Sequence, residues 1–197
     1  RAPLLDNTEA ITRHIKETAY FLRSDAVGVC ELPAYAVYSH QFSFKDMDAG
    51  EKPMELDHTH AIAILIDQDD RTNQAFSGSD WISNSMSMMS YATSGFVAIT
   101  LAEYIRRLGY SAKAHYAPYY DLMVPPILLM AGLGEMSRMG DTVLHPFMGP
   151  RFKAAVVTTD LPMTPDKPID FGLQDFCSQC KKCARECPSK AISDGDK

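Results

Sequence analysis

Four of the five cysteines crowd together near the end of the chain, at Cys177, Cys180, Cys183 and Cys187, while Cys30 stands alone. From Phe176 to Pro188 the order is C-x2-C-x2-C-x3-C-P. This is the spacing by which ferredoxin-type segments ligate iron–sulfur clusters. The first three thiolates can wrap one face of a 4Fe-4S cubane in successive tight turns, and the fourth points away and commonly serves a second cluster. A zinc site also uses C-x2-C pairs, but its second pair normally lies a dozen or more residues away. The crowding here therefore favours the cluster, and Lys181, Lys182 and Arg185 can offset its negative charge. So asymmetric a distribution does not resemble a disulfide framework, and Cys30 reads as core packing.

The rest of the composition bounds what surrounds this segment. The chain has 197 residues, 46% of them hydrophobic and 22% charged, enough for one substantial core. Its 19 Lys and Arg against 25 Asp and Glu give a net charge of -6, with no positive field to draw in a nucleic-acid backbone. Apolar stretches such as 61–66 and 123–133 fall short of the roughly 20 residues a membrane-spanning helix needs. The opening residues from Arg1 show no export signal, so a cytoplasmic location is the expectation.

Periodicity predicts the elements that must position the cysteines. Ile11, Ile15, Ala19 and Leu22 mark a first amphipathic helix behind the capping side chains of residues 6–9. Residues 26–32 read as a buried strand, 38–56 as a surface connection, and 60–67 as a central strand buried on both faces. A loop is expected over 69–80 and a long helix over 85–108. A strand over 110–116, a short helix over 126–131 and a buried strand over 151–160 complete the pattern. Strands alternate with helices, which favours a layered α/β (α+β) core over residues 1–160. Pro162, Pro165 and Pro168 mark a stiff linker at 161–169, and a ferredoxin-like segment starts at 170.

The segment Ala131-Gly132-Leu133-Gly134-Glu135-Met136-Ser137-Arg138-Met139-Gly140 is the second distinctive element. Closely spaced glycines let backbone approach a flat ligand, and the pattern is not the G-x-G-x-x-G of a dinucleotide site. Taken with Tyr120, Pro125, Gly149-Pro150-Arg151, the run 157–162 and the cysteine segment, it resembles the corrinoid-dependent reductive dehalogenases. The resemblance covers about residues 85–192.

That resemblance implies a nitroreductase-like core holding cobalamin, with two 4Fe-4S clusters delivering electrons to cobalt. It implies a cobalamin site along Gly132, Leu133, Gly134, Arg138, Met139 and Gly140, with nearby methionines as pliable surface. It implies Tyr120 as proton donor and Lys182 as the cation that assists it, with Lys181 the adjacent alternative. The substrate implied is a small organohalide, and the electron donor a ferredoxin, flavodoxin or reductase. The family's second cysteine group is absent, so the chain reads as a piece of a longer protein.

Two other readings share parts of this pattern. Epoxyqueuosine reductase, a tRNA-modifying enzyme, has a similar core and cysteine spacing but would place an aspartate where Pro118 stands. A plain ferredoxin-like electron carrier would not need the residues before the cysteines. D-x-H-x-x-G is absent, so His145 reads as packing rather than a cobalt ligand, and His58 and His60 lack an evident third metal ligand.

Overall fold

The apolar run at 60–67 is the centre of the molecule. In the computed structural model, which describes residues 7–41, 52–75 and 80–195, it forms a strand whose side chains alternate between two buried layers. The elements in chain order are α1 (Thr8–Phe21), β1 (Ala26–Glu31), β2 (His40–Gln41), β3 (Lys52–Pro53), β4 (His60–Asp67), α2 (Asp70–Ala75) and α3 (Trp81–Arg107). There follow β5 (Ala112–His115), α4 (Val124–Met130), β6 (Glu135–Met136), β7 (Val143–Leu144), β8 (Phe152–Thr159), α5 (Leu173–Cys180) and α6 (Lys182–Glu186).

The main sheet has four strands in the order β1-β4-β8-β5, and every neighbouring pair is antiparallel. Ile62, Ile64 and Ile66 of β4 pack with Ile15 and Ala19 of α1 and with Val97, Leu101 and Ile105 of α3. Ala61, Ala63 and Leu65 face the other way, onto Ile127 and Leu128 of α4. Burial on both faces explains why β4 has no polar alternation. Each fully buried Ile or Leu contributes roughly 1.5–3 kcal/mol, so this double-sided strand is a large share of the core's stability. The layered mixed fold expected from the pattern is the fold observed.

Local chemistry sets the ends of the helices. The Asn7 side chain accepts from Ala10 N at 3.0 Å and starts α1, and Asp80 accepts from Ser83 N at 2.8 Å and starts α3. The expected loop at 69–80 is corrected: Asp69 accepts from both the backbone and the hydroxyl of Thr72 and begins the short helix α2, while 76–79 lie outside the described residues. Of the surface connection at 38–56, residues 42–51 also lie outside them.

Residues 161–169 do not stand off the core as a spacer. Leu161 and Met163 are buried in it, and Thr164 exchanges hydrogen bonds with Thr12. Asp166 binds Lys16 at 2.6 Å and accepts from Val29 N at 2.7 Å, while its own N–H donates to Val29 O at 2.8 Å. Prolines keep this stretch extended, and the unpaired edge of β1 takes it up. Among the described residues, no helix is long and apolar enough to cross a membrane.

Candidate functional site

The cysteine segment folds as two short helices joined at Lys181, whose φ of 48° breaks the helical path. Cys177 and Cys180 lie one turn apart on α5, and Cys183 lies on α6. These three side chains line one cavity of about 370 Å³, together with Ser137, Arg138, Met139 and Lys182. Cys187 does not line it. Its sulfur lies 3.3 Å from the Ser189 hydroxyl, and that contact, with backbone N–H groups of Ala191 and Ile192, holds its thiol down to about 7. All four are free thiols. Among the described residues, no three Cys, His, Asp or Glu side chains stand close enough to share a single ion. A cubane, which would take its thiolates at separate irons, would need a wider frame than a single ion does.

The segment 132–140 grips the cysteine helices. Glu135 Oε2 accepts from Phe171 N at 2.8 Å and Leu173 N at 3.2 Å, placing a carboxylate at the start of α5. Gln174 Nε2 donates to Met136 O at 2.7 Å. Arg138, 9% exposed, donates from Nε and Nη2 to Ser193 O, and from Nη2 to Gly195 O. Gly132 and Gly134 are required by these close approaches. A Cβ on Gly132 would collide with the carbonyl of Lys167, and one on Gly134 with the carbonyl of Leu144. On the Cβ side of these two glycines the space is filled by the chain itself, so there the missing side chain serves the chain's own packing. Leu133 is buried in the layer under α4, Met139 is half-exposed at the cysteine cavity, and Gly140 alone of the three glycines has open space beside it.

Strands β6 and β7 pair antiparallel as a hairpin, Glu135 opposite Leu144, and a second site is lined by the residues of its turn. Tyr91, Tyr120, Lys153 and Ala154 line a cavity of about 340 Å³, and Asp141, Thr142 and Val143 of the hairpin complete part of its wall. The Tyr120 hydroxyl donates to Ala154 O at 2.8 Å. Burial, with Tyr91 close by, pushes its phenol up to about 12. Lys153 Nζ stands 4.7 Å from the centre of the Tyr91 ring, a cation–π distance. A further cavity of about 460 Å³ shares Tyr120 and Asp141 and extends to Tyr38, Met123, Met136 and Gly140.

Lys182 lines the cysteine cavity and neither tyrosine cavity, so the expected meeting of Tyr120 and Lys182 is not found. The hairpin supplies Ser137, Arg138, Met139 and Leu144 to one side and Asp141 to Val143 to the other, and the lysine stays with Cys183. Among the described residues, Lys153 does reach a tyrosine, and the sequence reading missed it. Its signal was a lysine next to the apolar run 154–157 of strand β8.

The histidines are held by the chain. His58 bonds Thr158 and Ser111 through its two ring nitrogens, each at 2.8 Å, and His60 Nδ1 pairs with Thr59 at 2.9 Å. His145 Nδ1 accepts from the backbone N–H groups of Phe147 and Met148, a turn-holding role. Cys30 is buried, its thiol pushed up to about 12 by burial first and by nearby carboxylates second.

Two groups of solved structures share this layered fold. Epoxyqueuosine reductase from Streptococcus thermophilus superposes with a TM-score of 0.61 at 16% identity over 94% of this chain and 54% of that one, a likeness of fold alone. The catabolic reductive dehalogenase NpRdhA, in complex with 3-bromo-4-hydroxybenzoic acid, superposes at 0.89 with 46% identity over 98% of this chain and 27% of that one. No family model matches. Tetrachloroethene reductive dehalogenase of Sulfurospirillum multivorans is 31% identical over 99% of this chain and 43% of its own length. That of Dehalobacter restrictus (strain DSM 9455 / PER-K23) is 46% identical over 53% of this chain and 18% of its own. The chain belongs to the reductive dehalogenase family, and it spans less than half the length of these relatives.

Proposed function

We propose that the protein containing this chain removes halide reductively from a small organohalide, using cobalamin and 4Fe-4S clusters. The observation that carries this reading is the hairpin 135–144, which walls a three-cysteine cavity on one side and a tyrosine–lysine cavity on the other. The net reaction breaks a carbon–halogen bond and forms a carbon–hydrogen bond; halide leaves, and two electrons and one proton are consumed. One structural neighbour carries the description of B12-dependent dehalogenation, which supports the same chemistry here.

Bound cobalamin would supply the reducing metal, and bound cubanes the electron path. Cys177, Cys180 and Cys183 would hold one cubane, and Cys187 is free to serve another. Tyr38, Met123 and Met136, around the open side of Gly140, fit an edge of the macrocycle. A ferredoxin, flavodoxin or reductase would deliver the electrons.

For the proton, Tyr91 and Tyr120 share one cavity, and Tyr91 is the better acid of the two. Tyr120 already donates to a backbone carbonyl, and a phenol pushed up to about 12 is a weak acid at neutral pH. Lys153, over the face of the Tyr91 ring, brings a positive charge to the same cavity. The pair shares the cavity with Tyr120, so a small substrate there reaches all three side chains.

The test is halide release by the complete protein after anaerobic loading with cobalamin, iron and sulfide, using a low-potential chemical reductant. Release of one halide per two electrons is expected. A fully loaded protein that releases none from chlorinated alkenes or halogenated phenols would sink the reading.

A further inference from the structure

Arg138 is a buried cation that pairs with no acid among the described residues. It is 9% exposed, and its hydrogen bonds go only to the carbonyls of Ser193 and Gly195. Among the described residues no carboxylate forms an ion pair with it, and Nη1 has no hydrogen-bond partner. Its side chain nonetheless lines the cavity that holds Cys177, Cys180 and Cys183. A guanidinium held away from water needs negative charge nearby.

The other cations of the segment are placed differently. Lys181 Nζ donates to Asp194 O at 2.7 Å, and Arg185 Nη1 to Cys180 O at 2.7 Å. Lys182 lines the cavity but is exposed, as is Glu186, which opposes it in charge. A charge in water acts about fourfold more weakly than one at the same distance near a protein surface, so Arg138 should outweigh Lys182.

We propose that Arg138 is the positioning residue that sets the reduction potential of the cubane held by Cys177, Cys180 and Cys183. This rests on the cluster assignment above. A buried positive charge, with a free N–H to offer a cluster sulfur, stabilises the more negative reduced state and raises the potential. The same side chain pins the carbonyls that follow Cys187, so the seat of the cluster and its charge balance depend on one residue.

The experiment reconstitutes the complete protein anaerobically with iron and sulfide and follows the cluster by EPR during a redox titration. Arg138→Gln should shift the equilibrium toward the oxidised cluster by about tenfold, a move of about 59 mV to more negative potential for a one-electron couple. Arg138→Lys, which keeps the charge but loses the planar fork, should retain most of the wild-type potential. Lys182→Gln should shift it less than Arg138→Gln. If Arg138→Gln fails to hold a cluster, Arg138→Lys decides alone: a potential near wild type supports the proposal, and loss of the cluster in it too overturns the charge role. A loaded Arg138→Gln with the wild-type potential, or equal shifts in the Gln and Lys variants, also overturns it. Complete wild-type protein that takes up no iron overturns the cluster assignment itself, a separate outcome from a cluster indifferent to Arg138.

Discussion

Lys153 on β8 holds its ammonium 4.7 Å from the centre of the Tyr91 ring on α3, and both line the cavity that also contains the Tyr120 hydroxyl. Two phenols therefore compete for the role of acid, and their surroundings separate them. A positioned general acid contributes roughly 100- to 10,000-fold to rate. Tyr91→Phe should cost turnover on that scale in a halide-release assay, with cobalamin and iron content unchanged. Tyr120→Phe loses only a bond to a carbonyl and should keep activity within about tenfold, below that range. The reverse order would return the acid role to Tyr120.

Glu135 is a remote cap for the first cysteine helix, since α5 has no side-chain cap of its own at Gly172. A carboxylate at a helix N-terminus contributes roughly 0.3–1 kcal/mol when exposed and up to about 2 kcal/mol when partly buried. Glu135→Ala should therefore loosen residues 171–180 specifically. The readout is amide hydrogen exchange: protection should fall in α5 and stay unchanged in β4 and β8. Uniform loss across the sheet would mean that Glu135 supports the core instead.

The layers were readable from the sequence because each depends on short-range pattern. Ile11, Ile15 and Ala19 mark α1 by helical spacing, and the unbroken apolar run marks β4 to its observed ends. The cysteine spacing likewise carries its own geometry, and three of the four thiols share a cavity. What was not legible depends on contacts between distant segments. Nothing local to Gly132 or Gly134 distinguishes a glycine that admits a ligand from one that admits the Lys167 or Leu144 carbonyl. Lys182 sits in the right motif, but its neighbours are set by where the hairpin runs. Tyr91 was read only as part of a long helix, because Lys153 reaches it from another layer.

Glycine substitutions test that distinction directly. Gly132 has φ 69° and a carbonyl in the place of its Cβ, whereas Gly140 has φ 89° and nothing within 4 Å. A left-handed non-glycine residue costs roughly 1–2 kcal/mol by itself. Gly140→Ala should lose about that much in chemical denaturation. Gly132→Ala should lose more, because the Lys167 backbone must also move. Similar losses at both positions would mean that the approach of 161–169 to Gly132 contributes little.

His115 makes stability depend on pH from inside the sheet. It is fully buried, and burial pushes its pKa from 6.5 down to about 4, against the partial support of Asp121. Its Nδ1 accepts from Asp121 N at 3.4 Å, so the proton of the neutral ring is on Nε2, donated to Thr158 at 2.9 Å. The Thr158 hydroxyl is then left to donate to His58 Nδ1 at 2.8 Å. Protonating His115 would place a donor against the Asp121 N–H. Because the unfolded chain binds this proton more readily, stability is fully present above pH 6.5 and is lost as pH falls toward about 4. His58, also lowered by burial, acts in the same direction. The loss should amount to a few kcal/mol, at about 1.4 kcal/mol per pKa unit. Urea unfolding from pH 7.5 down to 4.5 measures it, and His115→Gln should flatten the curve between those limits. An undiminished slope in that variant would assign the dependence to other groups, with His58→Gln the next to measure.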